Sequence, residues 1–224
     1  MITVNFARPW NVFAPVVYRY LDAEHVDAFF DDGSLRLSSF ARFAQHKDEQ
    51  RLDEHEGASV FVHRRDEGEI KTVIALTSHG RNAYVLCGST RFDQVLQAKF
   101  QRDSYIRIDN SVGFGEAVAR QLAGYTDGLE GLCVYQNSRT IEGKVEFDLD
   151  SLMPRPEATI DLTEFNRVVN SAQGHLPFFL KEKSFADQAE YRLLWLIDRD
   201  ADAFIDIKVP DARQYCSRPN EVME

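Results

Sequence analysis

The sequence predicts an α+β fold, with a split, mainly antiparallel β-sheet core and flanking helices. Three observations lead there. Runs of β-branched and aromatic residues recur along the chain, each bounded by turn-forming clusters. A few helical periods lie among them, but not in the regular βαβ alternation of a doubly wound sheet. No repeat is present, and no Pro/Gly/Ser tract is long enough to separate domains. The segments therefore read as one domain over 1–210, with a polar C-terminal tail at 211–224.

Taken in order, VVYRYL (Val16 to Leu21) is β-branched and aromatic and predicts a strand. Asp22 follows as an N-cap for AEHVDAFFDD, where Val26, Phe29 and Phe30 recur at helical spacing until Gly33 stops the helix. Leu35 to Phe40 alternates like a half-buried strand, and the charged AQHKDEQRLDEHEG after it has no apolar period and reads as a long surface loop. ASVFVH, IKTVIALTS and AYVLCGS, separated by RRDEGE and SHGRN, predict an antiparallel set. Next come RFDQVLQAKF as a helix, SYIRI as a strand and VGFGEAVARQLAGY as an amphipathic helix. LCVYQN and RTIEGKVEF then predict a strand pair, and MPRPEA, with its two prolines, a loop. Asp161 or Thr163 caps a helix through LTEFNRVVNSA, HLPFFLK is extended, and AEYRLLWLI is the most apolar strand candidate.

Composition narrows the function classes. Of 224 residues, 36 are acidic and 26 basic, and the resulting charge of -10 opposes diffuse attraction to nucleic acid or anionic membranes. The three cysteines (Cys87, Cys133, Cys216) are odd in number and far apart. They imply neither a disulfide framework nor a zinc site, which fits a reducing cytoplasm. MITVNFARPWNVFAPVV lacks the layout of a signal peptide, and no apolar run is long enough to span a bilayer, so the expectation is no export and no membrane. No P-loop, dinucleotide fingerprint, metalloprotease or nucleophile-elbow motif occurs. GFGEAV (Gly113 to Val118) comes nearest to a phosphate loop, and Gly115 is better explained as the start of the following helix.

Three separated patches carry the chemistry. In YRY, Arg19 sits in an aromatic strand with its side chain opposite to Tyr18 and Tyr20. YVLCGSTRFD is an apolar strand that ends on Ser89 and Thr90. In FADQAEYRLLW, strand periodicity places Gln188 and Glu190 on one face, where a carboxylate pointing into a core needs a partner or a task. The order of these patches resembles the cholera- and pertussis-type mono-ADP-ribosyltransferases, with their Arg/Ser-Thr-Ser/Glu constellation and closing Q/E-x-E strand. It is also similar to a bacterial family of uncharacterised, transferase-like domains with a Y-x-Y start, an R-x-D-x-x-E-G loop (here Arg51, Asp53, Glu56, Gly57) and a C-terminal E-Y-R strand. A strict Ser-Thr-Ser is missing. Gly88-Ser89-Thr90 and Leu76-Thr77-Ser78 both offer the serine, and Ser89 ends the more apolar strand.

The resemblance implies NAD as substrate and an ADP-ribosyltransferase-like fold. Glu190 would stabilise the positive charge that develops as the nicotinamide-ribose bond breaks, since a fixed carboxylate opposes it directly. Arg19 would hold the diphosphate as a bidentate donor. Ser89 would position Glu190, Ser89 and Thr90 would help bind NAD, and Gln188 would orient the acceptor. Tyr18, Tyr20 or Phe179 would stack on the nicotinamide, and the loop carrying Arg51, Asp53 and Glu56 would edge the nucleotide or acceptor site, with Arg51 binding the cofactor. The acceptor would be a protein or a nucleic acid (RNA or DNA). The implied setting is an intracellular bacterial toxin or phage-defence effector held inactive by an inhibitory antitoxin protein.

Plainer readings stand beside each of these. Arg19 pairs with an acid such as Glu190 or Asp22. Gln188 and Glu190 form the wet face of a half-solvated strand. Ser89 and Thr90 cap the next helix, with Asp93 completing the pattern. One rival function is a non-catalytic binding module. Another is a metal-dependent nuclease using Asp53 and Glu56, although the loop around them lacks the regular ligand spacing of a cation site, so no metal is expected.

Overall fold

In the computed structural model, residues 15–39, 57–67, 69–143 and 162–219 are described. The chain is α+β with mainly antiparallel strand pairing. Its described residues group into two compact units, one drawn from 1–35, 88–122 and 207–224, the other from 36–87 and 123–206.

In the first unit, β1 (Val17–Leu21) runs antiparallel to β6 (Ser104–Ile108), from Val17 opposite Ile108 to Leu21 opposite Ser104. On its other side Tyr18 lies opposite Ser89, the last residue of β5 (Ala83–Ser89). α1 (Ala23–Asp32) buries Val26 and Phe29 and stops at Gly33, whose φ of 80° and N–H bond to the Phe29 carbonyl form a left-handed cap. The Asp22 side chain does not cap it. Asp22 is paired with Arg102, and the Asp103 carboxylate takes the Ala23 N–H at 2.7 Å. α2 (Gln94–Lys99) is capped by Asp93, which accepts from the Val95 and Leu96 amides, so the expected capping by Ser89 and Thr90 is corrected. GFGEAV lies wholly inside α3 (Ser111–Ala119), capped by Asn110. Gly113 is there because a Cβ would meet the Tyr215 ring at 2.5 Å, a packing reason rather than a phosphate-binding one. Within the stretch expected as a polar tail, the described residues include the 3-10 turn Pro210–Tyr215 and a short strand that pairs with β6 at Cys216 opposite Ile108.

In the second unit, the end of β2 (Ser34–Ser39) runs antiparallel to β5, with Ser39 opposite Tyr84, and β3 (Ala58–Glu67) and β4 (Glu69–Ser78) form the expected hairpin. β7 (Tyr125–Leu132), β8 (Val134–Gln136) and β9 (Thr140–Glu142) follow. β9 pairs in parallel with β3, not with its neighbour β8 as the sequence suggested. Phe61, Ile141, Val169 and Leu180 form a core that includes α4 (Leu162–Gln173). β8 pairs in parallel with β10 (Leu180–Glu182), aligning Tyr135 with Lys181. HLPFFLK is therefore only partly extended, because Leu176–Phe178 is a 3-10 turn. β11 (Glu190–Ile197) pairs with β5 and, antiparallel, with β7. Both its faces are buried, and Leu194 packs with Ala83, Val85 and Phe178. AYVLCGS thus leaves the hairpin that precedes it for a different sheet.

Candidate functional site around Glu190

Glu190 opens β11 with 5% of its surface exposed, beside Lys181 at 7% and Arg192 at 1%. Burial alone would drive a carboxyl towards its neutral form. Here the charges of Lys181 and Arg192 outweigh burial and hold Glu190 far below the usual carboxylate range. Arg192, two residues along the same strand face, donates through Nε to Glu190 Oε1 at 2.6 Å and through Nη1 to the Phe178 carbonyl at 2.7 Å. The Lys181 ammonium donates to Glu190 Oε2 and, at 3.0 Å, to Gln188 Oε1, and lies 4.9 Å from the centre of the Phe185 ring. The Cys133 thiol donates to Glu190 Oε1 at 3.6 Å, and its backbone N–H to the Glu190 carbonyl at 2.9 Å. Burial, with Glu190 adding to it, pushes that thiol up, so Cys133 stays protonated. Tyr135 accepts the Glu190 backbone N–H at 2.7 Å, and burial raises its hydroxyl to about 12.

Two expectations about this segment change. Gln188 is not on the strand with Glu190. It ends the 3-10 turn Lys183–Gln188, and Ala189, at φ 42°, turns the chain between them. Nor is the Glu190 face solvated, since β11 is buried on both sides. The amide and the carboxylate still converge, through the shared Lys181 ammonium rather than the two-residue period. Lys181, Tyr135 and Cys133 were not anticipated. Arg192 was not singled out either, although E-Y-R sets it two residues from Glu190, a spacing that puts both on one strand face.

The first unit brings together a different set. Ser89 is buried opposite Tyr18, and directly opposed residues share a sheet face. Its hydroxyl accepts the Arg91 N–H at 3.1 Å and closes a tight turn. The Tyr20 hydroxyl clasps the same turn, donating to the Arg91 carbonyl at 3.1 Å and accepting the Asp93 N–H at 2.8 Å. Arg19, opposite Ile106, alternates to the other face, so Arg19 and Ser89 sit on neighbouring strands without sharing a face. Tyr18 packs against Phe92 and Tyr105, with ring centres 5.7 Å from each. The alternative serine, Ser78, pairs with Ala58 in the β3–β4 hairpin. In the second unit, Phe179 lies against Gly131, where a Cβ would stand 3.3 Å from its ring, and joins the apolar cluster around Leu194. Arg51, Asp53 and Glu56 fall outside the described residues.

Among the described residues no three His, Cys, Asp or Glu side chains gather as a metal site, and no helix is long and apolar enough to cross a membrane. Comparison with protein-family models, curated proteins and solved structures finds no match.

Proposed function

We propose that the chain is a mono-ADP-ribosyltransferase that cleaves NAD and passes ADP-ribose to a macromolecular acceptor, with Glu190 as its carboxylate. The observation that carries the reading is the convergence of Gln188 and Glu190 on one buried ammonium. As the nicotinamide leaves with its bonding electrons, positive charge grows on the ribosyl carbon. A carboxylate held ionised and immobile answers that charge without reorganising. Gln188 adds an amide to orient the incoming nucleophile. Ser89 is given the turn beside Tyr18 that its hydrogen bond supports. The acceptor is a protein or a nucleic acid, and an inhibitory protein partner belongs to the same reading.

One observation favours a second reading, a binding module without chemistry. Both Glu190 oxygens are engaged by neighbouring side chains, and the residue is nearly closed to solvent. A buried ion cluster of this kind also serves purely to organise a fold. Incubation with NAD labelled in its ADP-ribose portion, plus cell lysate, separates the two. The transferase leaves label on macromolecules, and protease and nuclease digestion name the acceptor class. A folded protein that labels nothing and releases no nicotinamide supports the binding module.

A further inference from the structure

β8 and β10 are only three residues long each, and so short a pair adds little stability of its own. Its register is nonetheless specific, with Lys181 level with Tyr135. The two side chains reach Glu190 by different routes. Tyr135 takes its backbone N–H at 2.7 Å, fixing where the strand begins, while Lys181 takes its carboxylate. Lys181 also holds Gln188, across the left-handed turn at Ala189. Without the ammonium, nothing in the two-residue period would bring Gln188 beside the carboxylate, because Gln188 lies outside the strand.

We infer that Lys181 is the positioning residue of the Gln188–Glu190 pair, with Tyr135 as its counterpart on the main chain. The inference rests on the transferase reading for what the pair does, and on geometry alone for how it is held. The groups facing Glu190 are Lys181 from β10, Arg192 from its own strand, and Cys133 and Tyr135 from the β7–β8 segment, and Lys181 also holds the uncharged Gln188. Cys133 and Tyr135 both stay protonated at neutral pH, so Lys181 and Arg192 set the charge that Glu190 meets.

The test compares wild type, Lys181→Arg, Lys181→Met and Lys181→Gln in two ways: the pH profile of NAD-dependent labelling and a carbon-13 titration of the Glu190 carboxyl. Wild type should keep the carboxyl ionised to the acid end of its folded range. Removing the cation should raise that titration, and the acid limb of the profile, by about one to three pH units. Lys181→Arg should restore the wild-type limb. Lys181→Gln, which keeps a hydrogen-bond donor but no charge, reads the same shift in a less disturbed core. A merely structural role would lower activity at every pH without moving the limb. An unmoved carboxyl titration in the uncharged variants overturns the inference. If wild type consumes no NAD, the transferase reading fails separately, and the carboxyl titration alone decides the role of Lys181.

Discussion

At the scale of single residues, Glu190 is a carboxylate that water barely reaches. Two cations share Glu190, so Glu190→Gln leaves them facing a neutral amide. Breaking a buried pair from one side costs about 3–5 kcal/mol, and urea unfolding at neutral pH should show that loss. The pH dependence has a definite sign. Because the folded carboxyl titrates below its unfolded counterpart, its contribution is complete above the ordinary carboxylate value and fades as pH falls towards the folded one. The gap between wild type and Glu190→Gln should therefore narrow on acidification below about pH 4.3. Ala189 makes a smaller, opposite prediction. At φ 42° its Cβ is strained, so Ala189→Gly should be neutral or stabilising by up to about 1 kcal/mol, a rise readable in the same urea series. Arg192 carried a signal that went unused, its strand spacing after Glu190. Lys181 was not, because its contact depends on a 3-10 turn that no two-residue pattern encodes.

At the scale of elements, strong local signals carried through and weak ones did not. α1, the β3–β4 hairpin, β6 and β11 stand close to where apolar patterning and turn residues put them. β7 was missed because YTDGLEGL carries two glycines and two acids, and only its pairing with β11 makes it a strand. The parallel pairings of β8 and β9 escaped for a related reason, since neighbours in sequence were expected to pair and the partners lie far along the chain. One side chain now explains how α4 is fastened to the hairpin. The buried Gln173 amide donates to the Ser59 and Thr77 hydroxyls at 3.1 and 3.2 Å, and its oxygen meets His79 Nε2 at 3.0 Å. Gln173→Ala leaves the two hydroxyls their 2.8 Å bond to each other and takes the amide from His79 Nε2; it should cost about 1–3 kcal/mol, read as a lower midpoint in thermal unfolding. An unchanged midpoint would mean that apolar packing alone holds the helix.

For the whole molecule, the fold class was legible because β-rich runs and scattered helices exclude a doubly wound sheet, and α+β is what the chain adopts. The candidate site was legible in part. Order along the sequence singled out Glu190 and Gln188, and the structure brings both to one ammonium. It also sets Arg19 and Ser89 on neighbouring strands but opposite faces, a relation that a list of motifs cannot contain. The proposed function rests NAD cleavage on the carboxylate at the head of β11. Nicotinamide release by wild type and by Glu190→Asp, which keeps the charge but withdraws the carboxylate by one methylene, tests it most directly. Wild type should release nicotinamide in the presence of lysate, and a folded Glu190→Asp should not. No release by the folded wild type, or equal release by both proteins, would contradict it.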